Sequence, residues 1–95
     1  MDRRSKASES LAQDTGAEHV REIVSTLARG LVRRPDRVHV REQTVRGRLV
    51  IELSVHPDDR GRVIGRDGRT ARALRTLLAA VAGKHDRSCH LEIID

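Results

Sequence analysis

Residues 54–77 read SVHPDDRGRVIGRDGRTARALRTL, and the parsing of that stretch decides the fold. Pro57 suits the first position of a helix, where its missing N–H would have no partner and its fixed φ is already helical. Asp58 and Asp59 then fall in the first turn, where the helix dipole favours carboxylates. This short helix ends at Gly65. A longer one runs from Gly68 to about Gly83, with Ala71, Leu74, Leu77, Leu78 and Val81 recurring at helical spacing on the face to be buried. Gly65 and Gly68 therefore bracket a two-residue link between a helix end and a helix start. Glycine at the first position permits the left-handed φ that a helix C-terminus favours. Glycine at both lets another backbone come close.

On the N-terminal side, RVHVREQTVRGRLVIELSVHP (residues 37–57) alternates apolar and polar residues. If Arg46-Gly47 is a two-residue hairpin turn, Val38 faces Val55, Val40 faces Leu53 and Thr44 faces Leu49 on one side of the ladder. On the other side Arg41 lies opposite Glu52, a favourable pair. Glu42 breaks the pattern by falling on the apolar side opposite Ile51. Upstream of the hairpin, Thr15 and Glu18 have capping-box spacing. Val20, Ile23, Val24, Leu27, Ala28 and Leu31 follow on one helical face, and Gly30 and Pro35 stop the helix near residue 32. The last segment, SCHLEII (residues 88–94), is a strand with Cys89, Leu91 and Ile93 inward. The order is α-β-β-α-α-β. The helical connection between the second and third strands makes that pair parallel. The expected fold is α+β, a three-stranded mixed sheet with helices packed on one face.

Composition bounds what such a domain does. The 95 residues contain no aromatic side chain, so the core is Val, Ile, Leu and Ala alone. The same absence excludes RNA-recognition motifs, OB-folds and cold-shock domains, which stack bases on aromatic rings. The net charge of +5, carried almost wholly by arginine, favours nucleic acid or anionic surfaces. An arginine-rich composition also follows from a GC-rich genome, so the placement of the charge decides. Residues 1–15 are expected to form a disordered polar tail without net charge, leaving residues 16–95 as the folded domain. A single cysteine, Cys89, gives no disulfide framework. With no membrane span or signal-like segment in view, a cytoplasmic protein is expected.

The charge concentrates at the glycine link. Arg60, Arg62, Arg66, Arg69, Arg72 and Arg75 place six guanidinium groups within sixteen residues. The link also opens onto the N-terminus of the longer helix, where free N–H groups and the dipole attract anions. Two glycines often make no more than a helix–helix turn. The P-loop pattern is absent, and no strand feeds the glycines as a dinucleotide fingerprint requires.

With Gly65-Arg66-Asp67-Gly68 in place of the GxxG loop, residues 54–77 resemble the core of a KH domain. The helix-first order resembles the bacterial type II arrangement. A lone domain of this size is similar to the small bacterial single-KH-domain RNA-binding proteins, over roughly residues 17–95. The resemblance implies a clamp for about four single-stranded nucleotides whose backbone is gripped by the GxxG loop. Gly65 and Gly68 would shape the loop, Arg66 and Arg69 would contact phosphate, and Arg62 and Arg72 stand near it. Val63 and Ile64 would line an apolar groove between the helices and the third strand, or serve as ordinary core. Asp67 would repel phosphate unless it points to solvent or caps the next helix. No cofactor is implied.

The resemblance further implies an RNA chaperone or post-transcriptional regulator linked to cell shape and peptidoglycan homeostasis. It also implies a homodimer, or a heteromer with a larger Jag-type KH protein. Alternatives are a protein-interaction module on the same fold and a ribosome-associated assembly factor. A metal cluster of His85, Cys89 and His90 is disfavoured, because strand alternation puts Cys89 and His90 on opposite faces. Asp58 and Asp59 are accounted for by the helix dipole alone, and Arg21, Arg29, Arg33 and Arg34 are expected in solvent. No residue pattern points to catalysis.

Overall fold

A computed structural model describes residues 15–94; the expected tail lies almost wholly outside them. The elements are α1 (Thr15–Leu31), β1 (His39–Val45), β2 (Arg48–Ser54), α2 (Arg60–Ile64), α3 (Arg69–Lys84) and β3 (Cys89–Ile94). Short 3-10 turns at Pro35–Arg37, Pro57–Asp59 and Arg66–Gly68 join them. Strand order is β1-β2-β3, with β1 antiparallel and β3 parallel to the central β2. This is the α+β, α-β-β-α-α-β architecture that the sequence predicts.

The hairpin has the predicted register. Val40 pairs with Leu53, Arg41 with Glu52, Glu42 with Ile51 and Thr44 with Leu49. The cause is the turn: Arg46 and Gly47 have φ of 53° and 77°, and two left-handed residues make the tight turn whose twist matches that of the strands. The cross-strand partner differs from expectation. Glu52 accepts a hydrogen bond from Gln43 Nε2 at 3.2 Å.

Leu49, Ile51 and Leu53 of β2 are completely buried. Against them pack Val20, Val24 and Ala28 of α1, Val63 of α2, Leu78 and Ala82 of α3, and Leu91 of β3. Burying one such side chain contributes about 1.5–3 kcal/mol, so this aliphatic set holds the sheet and helices together without rings. Two residues assigned to the core stand outside it. Leu31 is 37% and Leu77 43% exposed, both lining an open concavity between α1 and α3.

Two charged residues are placed differently from the sequence reading. Glu42, the misfit on the apolar side, accepts a hydrogen bond from Arg21 Nε at 2.8 Å, so Arg21 is not left in solvent. The pair joins α1 to β1 at the edge of the core. Asp59 is no mere dipole residue. It is 1% exposed, and its two carboxylate oxygens accept the backbone N–H groups of Arg33 and Arg34 at 3.1 Å each. Arg62 Nε stands 3.5 Å away. Asp59 thereby ties the chain leaving α1 to the turn that starts α2. His56 caps that turn by accepting the Asp58 N–H at 3.1 Å.

Burial alone would raise the Asp59 pKa, but the two backbone N–H groups and the Arg34 and Arg62 guanidiniums together hold it below the ordinary value. A lowered folded pKa contributes stability that is complete above the unfolded value and lost as the pH falls through the folded one. Asp59→Asn is therefore expected to melt at lower temperature than the native protein at neutral pH. The gap should narrow once the pH drops below 3.8, the unperturbed value for the group. Thermal unfolding across a pH series checks this.

Candidate nucleic-acid interface

α2 ends at Gly65, whose N–H donates to the Gly61 carbonyl at 2.8 Å. Its φ of 78° and ψ of 171° lie in a region essentially restricted to glycine. A side chain would also have no space: a Cβ at Gly65 would fall on the Thr70 side chain and lie 2.8 Å from the Thr70 backbone nitrogen. The close approach that glycine allows here is thus made by the chain itself. Gly68 has the other role. Its φ is 74°, but the nearest atom to an added Cβ is the Arg72 guanidinium at 3.7 Å, so that face of the loop is open to a ligand.

Between the glycines, Arg66 and Asp67 form a tight turn closed by the Gly68 N–H donating to the Gly65 carbonyl at 3.1 Å. Asp67 is left-handed, with φ of 57°, a conformation aspartate tolerates better than most residues. It does not cap α3: no side chain does, and the first turn of α3 contains no acidic residue. Instead its carbonyl accepts a hydrogen bond from Arg72 at 2.7 Å. Arg72 therefore reaches back across one helical turn and braces the loop. Arg66 and Arg69 are exposed on either side of the turn. An uncapped helix start carries about half a positive charge, and the two guanidiniums add to it.

The other predicted site residues are distributed differently. Arg62 faces Asp59 at 3.5 Å, one turn before the loop. Val63 is wholly buried, so it is core and supports the loop from beneath rather than meeting a ligand. Ile64 is half-buried and packs against the core edge. The space between α3 and β3 is not purely apolar, since Arg75 Nε reaches the Leu91 carbonyl at 3.4 Å across it. Arg75, one of the six arginines counted at the glycine link, thus turns to β3 rather than to the loop. Thr70 carries no local signal, and its role follows only from its position against Gly65.

The disfavoured metal cluster is also dispersed. His85 lies 3.2 Å from His19, nitrogen to nitrogen, while Cys89 is turned towards the core and His90 stands 3.6 Å from Glu92. Burial raises the Cys89 pKa against the pull of Arg48 and Arg87. Among the described residues no helix is long and apolar enough to cross a membrane.

Comparison with known proteins adds an independent line. The family described as KhpA/KhpB, KH domain, matches residues 21–93. The chain is similar to the RNA-binding protein KhpA of Halalkalibacterium halodurans, with 52% identity over 77% of this chain and 96% of that one. It is 46% identical to the protein of that name in Streptomyces coelicolor, over 78% of this chain and 90% of the other. With its counterpart in Clostridium perfringens it shares 41% identity over 79% of this chain and the whole of the relative. No solved structure matches the chain significantly.

The two glycines are expected to respond differently to the same change. Gly65→Ala meets both the glycine-only backbone region and Thr70, and should lower the melting temperature sharply. Gly68→Ala meets only the left-handed backbone cost of roughly 1–2 kcal/mol. Gly68→Asn should be milder still. Thermal melts of the three variants check the order.

Proposed function

The chain belongs to the KhpA/KhpB family of KH domains, and from that premise we propose that it is a non-catalytic protein that binds single-stranded RNA through the Gly65–Gly68 loop. The observation that carries this reading is the uncapped start of α3: no side-chain cap, no acid in its first turn, and exposed Arg66 and Arg69 beside an open Gly68. Such a surface holds phosphate through backbone N–H groups and guanidinium forks. It needs no aromatic ring, in keeping with a chain that has none. Asp67 opposes phosphate by charge, so a single clamp binds weakly. Linking two clamps raises avidity.

Self-association belongs to the same proposal. Leu27, Leu31, Leu74 and Leu77 line an apolar concavity of ≈ 430 Å³ between α1 and α3, which reaches Thr70 beside the loop at one end. A second copy covering the exposed Leu31 and Leu77 would bury this apolar surface. The larger Jag-type KH protein of the resemblance is the alternative occupant of that surface. The resemblance also supports a cytoplasmic RNA chaperone or post-transcriptional regulator serving cell shape and peptidoglycan homeostasis.

Fluorescence anisotropy with single-stranded RNA across a salt series tests the clamp. Affinity should fall with a slope of about −0.7 in log–log form for each phosphate held. Arg66→Asp, which leaves both glycines in place, should weaken binding on the order of tenfold or more and flatten the slope. Leu77→Glu should reduce self-association in sedimentation velocity while each folded monomer retains its clamp.

A further inference from the structure

A second group of arginines lies one helix length from the loop. Arg33, Arg34 and Arg62 line, with Asp58 and Asp59, a concavity of ≈ 360 Å³ where the end of α1 meets the start of α2. Its floor is the Asp59 carboxylate, already occupied by two backbone N–H groups and faced by Arg62. That arrangement cancels the buried charge and fixes the point at which two consecutive arginines leave α1. The tether uses the backbone N–H of Arg33 and Arg34, so it does not consume either guanidinium. Arg33 is exposed, and the side chain of Arg34, 46% exposed, lies 3.2 Å from His56 Nδ1 and in a long 3.4 Å contact with Asp58, itself 71% exposed. The Asp58 contact, so open to water, is worth little and is exchangeable for a phosphate oxygen. Arg29, in the last turn of α1, and Arg37, in the 3-10 turn after it, are exposed as well.

The short helix α2 connects this surface to the loop. Asp59 and Gly65 flank the two ends of α2, six residues apart, which is on the order of 9 Å at helical rise. A strand gripped at Gly65–Gly68 and continuing along α2 passes over Arg62 and reaches Arg33 and Arg34. Resting on the RNA-binding reading above, we propose that the concavity of Arg33, Arg34 and Arg62 over Asp59 is a second phosphate site, extending the bound strand beyond the loop clamp. Phosphate is the fitting ligand because paired guanidinium forks match its oxygens. The nearby Asp58 then weakens the site, since its carboxylate competes with phosphate for Arg34.

The test compares a tetrauridylate, which fills a clamp of about four nucleotides, with a dodecauridylate that also spans α2. Both are titrated by anisotropy at several salt concentrations. In the double variant Arg33→Gln/Arg34→Gln the backbone tether to Asp59 is kept, and circular dichroism melts verify the fold. The tetramer should bind as it does to the native protein. The dodecamer should lose on the order of tenfold at 0.15 M salt and about 1.4 from its salt slope, for two phosphate contacts. Asp58→Asn should tighten the dodecamer alone. Equal dodecamer binding by the native protein and the double variant overturns the second site while leaving the clamp standing. No binding of either length by the folded native protein overturns the clamp reading itself, and the second site with it.

Discussion

The space beside Gly65 that a side chain would fill is taken by Thr70, and the geometry of the candidate site depends on that exclusion. Because the chain folds back on itself there, α2 ends and α3 starts within four residues. The turn places an uncapped helix start at the surface, with Gly68 open above it and Arg72 holding the Asp67 carbonyl from behind. Any residue with a Cβ at position 65 would push Thr70 away and tilt α3. That helix carries Leu74 and Leu78 into the core, so loop geometry and core packing are coupled.

The parts of the fold legible in the sequence are those set by local periodicity or by a single turn. Arg46-Gly47 fixes the hairpin register, because a two-residue turn leaves the strands no other alignment. Helical spacing identifies Val20, Val24, Ala28, Leu74 and Leu78 as core. Spacing alone fails at Leu31 and Leu77, which share the apolar stripes but line the open concavity between α1 and α3. It fails again for charged residues whose partners are distant in sequence. Glu42 looks misplaced until Arg21 of α1 reaches it, and Asp59 looks like a dipole residue until two N–H groups from the end of α1 close on it. Long-range polar contacts of this kind leave no local pattern.

The site shows the same division. The Gly65–Gly68 loop and its flanking arginines are visible in the chain, because glycine and charge density mark them locally. The structure divides their work. Gly65 is a packing requirement, Gly68 an open surface and Arg72 a brace, while Val63 belongs to the core. Arg66 and Arg69 remain the exposed cations beside the helix start. A small aliphatic domain thus presents fixed backbone N–H groups and exposed guanidiniums together, a combination suited to a sugar–phosphate backbone and indifferent to ring stacking.

The most direct measurement of whether that loop is the site is a titration of the isotope-labelled protein with a short single-stranded RNA, followed residue by residue through the backbone amide resonances. The account predicts that the largest shifts fall on the amides of Arg66 to Thr70, with smaller ones along α2. Shifts confined to the exposed face of the sheet, or to the α1–α3 concavity, with the loop amides unmoved, would contradict it.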